Sequence, residues 1–432
     1  MRLVYLLAVY LAAPAVSALF LWRGLRERSY WRNFRERFGF GARLSVAPIW
    51  IHAVSVGEVQ AATPLAKALR ERYPDIPVLI STFTPTGAAR ARAALADAAE
   101  VRYLPYDLPG AVRRFLDRIR PRLAVIVETE LWPNLYRECH RRRVPLLIAS
   151  ARLSPRSARH YQLLGTLFRE ALAGGVVVAA QAEGDAERFR SLGASQANTH
   201  VTGNLKFDYT LSPAILARGR QLRRRYAADR PIWVAGSTHG GAEERTLLEA
   251  HQRLRAAHPD ALLVLAPRHP NRFAEVAAWL ESSGAPFVRH SLSPPSAAAA
   301  GAQIVLLDTL GELLDFYAAA DVAFVGGSLV PIGGHNLLEP AALGVAILTG
   351  PHTFNGAEVA RLLTECGAAR IVSGPEELAS SLAALLEDAG LRADLGARAR
   401  AVVEANRGAL AKLLALIGPL LESETSAARS SR

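Results

Sequence analysis

The chain has 432 residues, 50% of them hydrophobic and 21% charged, which excludes a disordered protein and leaves room for two domains with full cores. Net charge is +12, carried almost wholly by arginine since the only lysines are Lys67, Lys206 and Lys412; this favours an anionic partner such as nucleic acid, an acidic membrane surface or a phosphorylated substrate. Two distant cysteines, Cys139 and Cys366, exclude a disulfide framework and point to a reducing compartment; with eleven histidines at no ligand spacing, no metal is expected.

Residues 3–22 (LVYLLAVYLAAPAVSALFLW) carry no charge. Twenty residues of helix reach about 30 Å, the thickness of a bilayer core, so 1–22 reads as a membrane anchor. Arg23, Arg26, Arg28, Arg32, Arg35 and Arg37 follow, interleaved with Tyr30, Trp31, Phe34, Phe38 and Phe40. That basic and aromatic segment, 23–47, suits the headgroup level and places the rest of the chain on the cytoplasmic side. Two other readings stay open: a cleaved signal peptide, and a helix buried in the protein or lying in the interface, with Pro14 as a kink. Length alone does not decide between spanning and lying flat.

From residue 48 short apolar runs alternate with amphipathic stretches. The runs are 49–55, 78–83, 123–129, 145–150 and 176–181, then 232–237, 262–268, 304–308, 322–327 and 346–350. Near-continuous apolar strands separated by helices predict parallel sheets covered on both faces. The expected fold class is therefore α/β: a doubly wound domain over 48–203, a linker over 204–230, a second doubly wound domain over 231–421 and a disordered tail over 422–432. A Ser/Pro/Ala-rich loop is expected at 291–302. In such sheets ligands bind beyond the carboxyl ends of the strands, so chemistry is sought there.

Several motifs stand at those ends. In HAVSVGE (52–58), Glu58 opens a helix and is placed as a general base, or is simply the second half of a capping box with Ser55. In STFTPTG (81–87), Thr84 and Thr86 hold a phosphate or sugar hydroxyl, or cap a helix. In VETELWPN (127–134), one of Glu128 and Glu130 is expected to face the ligand while the other caps the next helix; a buried carboxylate there needs a basic partner, for which Lys206 in GNLKFD is the candidate. In LAPRHP (265–270), Arg268 binds a phosphate or pairs with a carboxylate. DTLGEL (308–313) reads as a turn at Gly311 and a helix start at Glu312. The strongest signal is 324–355, FVGGSLVPIGGHNLLEPAALGVAILTGPHTFN. Paired glycines follow a strand, a helix opens at His335-Asn336, and Glu339 can accept two ribose hydroxyls. It is not GxGxxG, so it reads as a nucleotide-sugar site and not a nicotinamide site.

These motifs closely resemble the bacterial 3-deoxy-D-manno-octulosonic acid (Kdo) transferases of lipopolysaccharide synthesis. The matching runs are AVSVGE, TPTG, YLPYDLP, ETELWPNL, ARLS, GNLKFD, STH, PRHP, GGHNLLEP and GPHTFN, in order along nearly the whole chain. The resemblance implies a GT-B fold: two Rossmann-like domains facing a central cleft, with an N-terminal anchor helix at the cytoplasmic face of the inner membrane. It implies transfer of Kdo from CMP-Kdo to the lipid A precursor (lipid IVA) with release of CMP, inversion at the anomeric centre, and no metal or cofactor. It assigns Glu58 as general base with Glu128 and Lys206 in support. It assigns CMP contacts to Pro267, Arg268, Leu310, Gly311, Glu312, Asn336, Leu337, Leu338 and Glu339. Rivals are another GT-B transferase using a UDP-sugar, a sugar-nucleotide epimerase on the same fold, and a non-catalytic membrane-bound nucleotide sensor. No nucleic-acid module is visible, and nothing in the sequence fixes an oligomeric state.

Overall fold

The structure is a computed structural model that describes residues 1–430 except 96–97, 164, 209–210 and 293–300, with side chains to Glu422. The expected loop at 291–302 therefore lies mostly outside the described residues. The chain forms two compact units, Met1–Asp208 with Asn406–Arg432, and Tyr209–Ala405.

The first unit is built on β1 (Ile49–His52), β2 (Val78–Thr82), β3 (Ala99–Tyr103), β4 (Leu123–Val127), β5 (Leu146–Ala151), β6 (Val177–Ala180) and β7 (Thr199–Val201). All pair in parallel, in the order β3-β2-β1-β4-β5-β6-β7. The helices are α1 (Arg2–Arg26), α2 (Val56–Arg72), α3 (Pro85–Leu95), α4 (Pro109–Ile119), α5 (Pro133–Arg141), α6 (Pro155–Leu163), α7 (Gly165–Ala173) and α8 (Glu183–Ser191). Helices cover both faces, so β1, β2, β4 and β5 are buried along their whole length.

The second unit holds β8 (Ile232–Thr238), β9 (Leu262–Pro267), β10 (Phe287–Arg289), β11 (Ile304–Leu306), β12 (Val322–Val325), β13 (Ala346–Thr349) and β14 (Ala369–Ile371). These too are all parallel, in the order β10-β11-β9-β8-β12-β13-β14. Its helices are α9 (Pro213–Tyr226), α10 (Gly240–Ala257), α11 (Phe273–Ser283), α12 (Leu313–Tyr317), α13 (Leu338–Leu343), α14 (Ala357–Glu365), α15 (Pro375–Glu387) and α16 (Ala389–Ala405).

The last helix, α17 (Ala409–Ser430), departs from expectation. It returns to the first unit, where Leu413, Ile417 and Leu421 are buried against α2 and the first sheet. The i, i+4, i+8 spacing of those leucine and isoleucine side chains makes one stripe facing that core. The second domain therefore ends near Ala405 and not at 421. The helix also runs through most of the expected tail, of which only 431–432 lie outside the described residues. The expected linker over 204–230 is also structured. Leu205–Phe207 forms a 3-10 turn of the first unit, while α9 pairs with the second through Arg218–Asp315 and Arg223–Asp321, both at 2.7 Å. Asp208 fastens the crossing: its carboxylate accepts the N–H groups of Gly408 and Leu410, each at 2.6 Å.

A buried carboxylate shapes the glycine loop after β12. Glu243, in the first turn of α10, is fully buried. It accepts the N–H groups of His239 and Gly327 on one oxygen and of Ser328 and Leu329 on the other, at 2.7–3.1 Å. Gly350, after β13, comes so close that a Cβ would sit 2.2 Å from the Ser328 carbonyl oxygen, so that position needs glycine.

Two outcomes follow for stability. Leu413→Ala empties a fully buried site, and about 2–5 kcal/mol should be lost in chemical denaturation of the full chain. Glu243→Ala strands four backbone donors; about 3 kcal/mol of local protection should vanish, seen as roughly 100-fold faster amide exchange at Gly327, Ser328 and Leu329.

Candidate active site

In a doubly wound sheet the ligand crevice opens where the strand order reverses. In the first unit that point lies between β1 and β4, and Glu58 follows β1 while Glu128 follows β4. Glu58 sits three residues into the α2 start. Its carboxylate accepts the N–H groups of Val54 and Ser55, and its own N–H donates to Ser55 Oγ at 3.5 Å. The capping box is thus real. It does not compete with a chemical role, because the same half-buried carboxyl is pushed up to about 7 by burial first, then by the negative charges of Glu128 and Glu130.

Glu128 departs from the sequence expectation. Strand β4 ends at Val127, and Glu128 takes a left-handed backbone, φ 62°, which a non-glycine residue adopts only under constraint. This turn aims its carboxylate at Lys206, whose Nζ donates to Oε1 at 2.6 Å. Neither Glu128 nor Glu130 caps the next helix. That role belongs to Asp107, which accepts the N–H groups of Asn134 and Leu135 at 2.9 and 2.8 Å. Glu130 instead joins the acidic group, its carboxyl pushed up to about 7 by burial first and then by Glu128. Lys206 is held by a relay. Asn204 Oδ1 accepts the Lys206 N–H at 3.0 Å, Asn204 donates to Gln181 Oε1 at 3.3 Å, Gln181 donates to the Ser150 carbonyl at 3.0 Å, and Ser150 Oγ accepts the Leu205 N–H at 2.9 Å. Thr84 caps α3, accepting the Gly87 N–H at 3.1 Å.

In the second unit the order reverses between β8 and β12. Ser237 and Thr238 end β8 and His239 follows it, the glycine loop follows β12, and Arg268 follows β9. His239 and His335 stack with ring centroids 4.9 Å apart, and their Nε2 atoms approach to 2.7 Å. At that distance one ring donates and the other accepts, so the two cannot both be protonated. Burial first, then His239 and Arg268, holds His335 down to about 4; burial likewise lowers His239 and His269. His269 closes the cluster, its ring meeting that of His239 edge-on at 5.0 Å. The guanidinium of Arg268 is exposed and makes no intramolecular bond among the described residues, and its own N–H donates to the Thr238 carbonyl at 3.0 Å. The arginine that pairs with a carboxylate is Arg272, which holds both oxygens of buried Glu244 at 2.8 Å.

The remaining predicted contacts line the same carboxyl edge. Pro267 ends β9 and is buried. Leu310 is 69% exposed, Gly311 has φ 88°, and Glu312 precedes α12 with Thr309 donating to its carboxylate. The helix expected at His335-Asn336 begins at Leu338. Asn336 precedes it, accepting the Leu338 N–H at 3.1 Å and donating to Glu339 Oε1 at 3.2 Å. Leu337 and Leu338 are buried, which leaves only their backbone for a ligand. Sequence reasoning did not single out Glu243, Glu244 or the histidine pair as site residues. The available signal was position for His239, Glu243 and Glu244, which follow the end of β8 closely; His335 lies deep in the loop after β12 and had no such signal. Among the described residues no group of three His, Cys, Asp or Glu side chains is placed to hold a metal ion.

A family model described as 3-deoxy-D-manno-octulosonic-acid transferase (kdotransferase) matches residues 32–209. The 3-deoxy-D-manno-octulosonic acid transferase of Haemophilus influenzae is 39% identical over 98% of this chain and 99% of its own length. That of Bordetella pertussis is 40% identical over 96% and 98%. A glycosyltransferase structure from Rickettsia africae, 14% identical, superposes with a TM-score of 0.55 over 88% of this chain and 99% of its own, which shows the shared GT-B fold. With strand-end chemistry in both units and near full-length identity of this order, the chain belongs to the 3-deoxy-D-manno-octulosonic acid transferase family of glycosyltransferases.

Proposed function

We propose that the chain transfers Kdo from CMP-Kdo to a lipid A precursor (lipid IVA), releasing CMP, with Glu58 as the general base. The observation that carries this reading is Glu58 itself: a half-buried carboxyl at the switch point of the first sheet, pushed up to about 7 beside the Glu128–Lys206 pair. A base is most effective when its pKa lies near the working pH. Glu58 removes the proton from the acceptor's sugar hydroxyl, whose oxygen attacks the anomeric carbon of Kdo. The bond from that carbon to the phosphate oxygen breaks, and CMP leaves with the electron pair. Attack opposite the leaving group inverts the anomeric centre. Lys206 holds Glu128 in place, and the negative charge of Glu128 disfavours a second one on Glu58, which raises its basicity.

In the second unit Arg268 takes the CMP phosphate, supported by its free guanidinium. Gly311 and the backbone of Leu310, Leu337 and Leu338 border the nucleotide, while Glu312, Asn336 and Glu339 supply polar contacts to it. Neutral His239 and His335 offer hydrogen bonds without adding charge. No metal or cofactor takes part in this reading. The apolar α1 and the arginines that follow it support attachment to the cytoplasmic face of the inner membrane, where a lipid acceptor resides.

The direct test is a mass assay of the full chain with CMP-Kdo and the lipid precursor, in which the product gains Kdo as CMP appears. Glu58→Gln should lower kcat by roughly 10²–10⁴ while CMP affinity stays within about twofold; wild-type turnover would remove Glu58 from the role. The base must be deprotonated, so kcat/KM of the wild type should rise with pH through about 7, and that limb should be missing from the residual activity of Glu58→Gln. Arg268→Ala should weaken CMP binding by about 10–100-fold in calorimetry.

A further inference from the structure

Helix α1 makes contacts along its length that a membrane span could not make. One stripe, Tyr5, Val9, Ala13, Ser17, Phe20 and Gly24, is turned toward the first unit and is partly or fully buried. The opposite stripe, Leu3, Leu7, Leu11, Leu21, Trp22 and Leu25, is exposed. At 100° per residue these exposed side chains occupy an arc of about 100° facing away from the protein.

The docked stripe is held at both ends. Near the start, the Tyr5 hydroxyl donates to Asp107 Oδ2 at 2.8 Å, and that carboxylate also receives the first amides of α5. Further along, the Ser17 hydroxyl donates to the Tyr106 hydroxyl at 3.4 Å. At the far end the Phe20 ring lies 5.8 Å from that of Phe83, with the buried Arg37 guanidinium 4.3 Å from its centroid. Trp31 then crosses over the helix, its indole N–H donating to the Leu21 carbonyl at 3.0 Å, and Gly24 leaves it room. From Tyr5 to Gly24 is about 28 Å of helix, nearly a whole bilayer core. Were α1 to cross the bilayer in this docked state, Asp107, Tyr106 and Arg37 would lie in hydrocarbon beside it, where buried polar groups are most costly.

We propose that α1 lies in the plane of the membrane as an interfacial helix that stays docked on the first unit, with its Leu3–Leu25 stripe in an anionic bilayer surface. This rests on the membrane attachment proposed above and specifies its geometry. The charge pattern fits that partner: Arg23, Arg26, Arg28, Arg32 and Arg35 are all exposed next to the apolar stripe, at the level of anionic headgroups. Trp22 and Trp31 are exposed among them, as interfacial aromatics are. The docking surface has a further consequence. Phe83 follows β2, Tyr106 and Asp107 follow β3, and α5 follows β4, so α1 sits on the same carboxyl edge as Glu58 and Glu128. An in-plane α1 therefore fixes that edge at headgroup level.

The test uses the full chain in vesicles of phosphatidylcholine and phosphatidylglycerol. Single cysteines at Leu3, Leu7, Leu11 and Leu25, in a Cys366→Ser background with Cys139 buried, carry a nitroxide whose depth is read from its relative exposure to oxygen and a water-soluble nickel chelate. The expected result is one shallow depth for all four labels, about 5–10 Å below the headgroups. A depth that climbs to a maximum near Leu11 and falls again toward Leu3 and Leu25 would mean a span and overturn the proposal. Protein that stays in the supernatant, with all four labels water-exposed, would overturn it too and would remove the membrane reading with it. That result is told apart by the loss of vesicle binding itself, and leaves the transferase assay untouched.

Discussion

Carboxylates that accept backbone N–H groups hold both carboxyl edges in shape. A parallel sheet delivers every strand to the same edge, and each strand end leaves peptide groups that the ladder no longer satisfies. Glu243 gathers four such amides around the glycine loop, Asp107 takes two at the head of α5, and Glu58 takes two at the turn into α2. A carboxylate suits this work because one ionised group can receive several donors, and charge-assisted bonds are stronger than neutral ones. Without these clamps the loops that carry His239, Gly327 and Asn134 would have no fixed course, and the chemistry built on them would lose its geometry.

The same interaction explains why Glu58 is hard to read. Its capping bonds lower its pKa, while burial and two neighbouring carboxylates raise it, and the raising effects win. A local sequence shows only the capping box; what opposes it is burial first and then Glu128 and Glu130, about 70 residues away in the chain, and all of these exist only in the fold. Cap and base are two consequences of one position, not rival accounts of it.

Much of the fold was legible because the central strands are uniform apolar runs, and all ten such runs are strands. The four strands with no comparable signal, β3, β7, β10 and β14, are the sheet edges, where sequences such as AEVRY and THV are half polar. Lys206 and Arg268 could be picked out by rarity and by place. The left-handed turn at Glu128 could not, since nothing in VETE distinguishes a strand that continues from one that stops at Val127. The partition at the carboxyl terminus was missed for a related reason: the apolar stripe of α17 says that the helix is buried, not which core buries it.

That partition bears on how the protein is made. The second unit is an insertion: the chain leaves the first unit at Asp208 and re-enters it at Asn406, and the Asp208 carboxylate ties the two passages together. A ribosome therefore emits roughly 200 further residues after the first sheet is complete and before α17 can cover it, a delay of roughly 10–40 s at about 5–20 residues per second. During that interval the groove meant for Leu413, Ile417 and Leu421 stands open on a nascent chain. The newborn first unit is thus a client for whatever shields apolar grooves during synthesis, and a truncation before Asn406 would leave it so permanently.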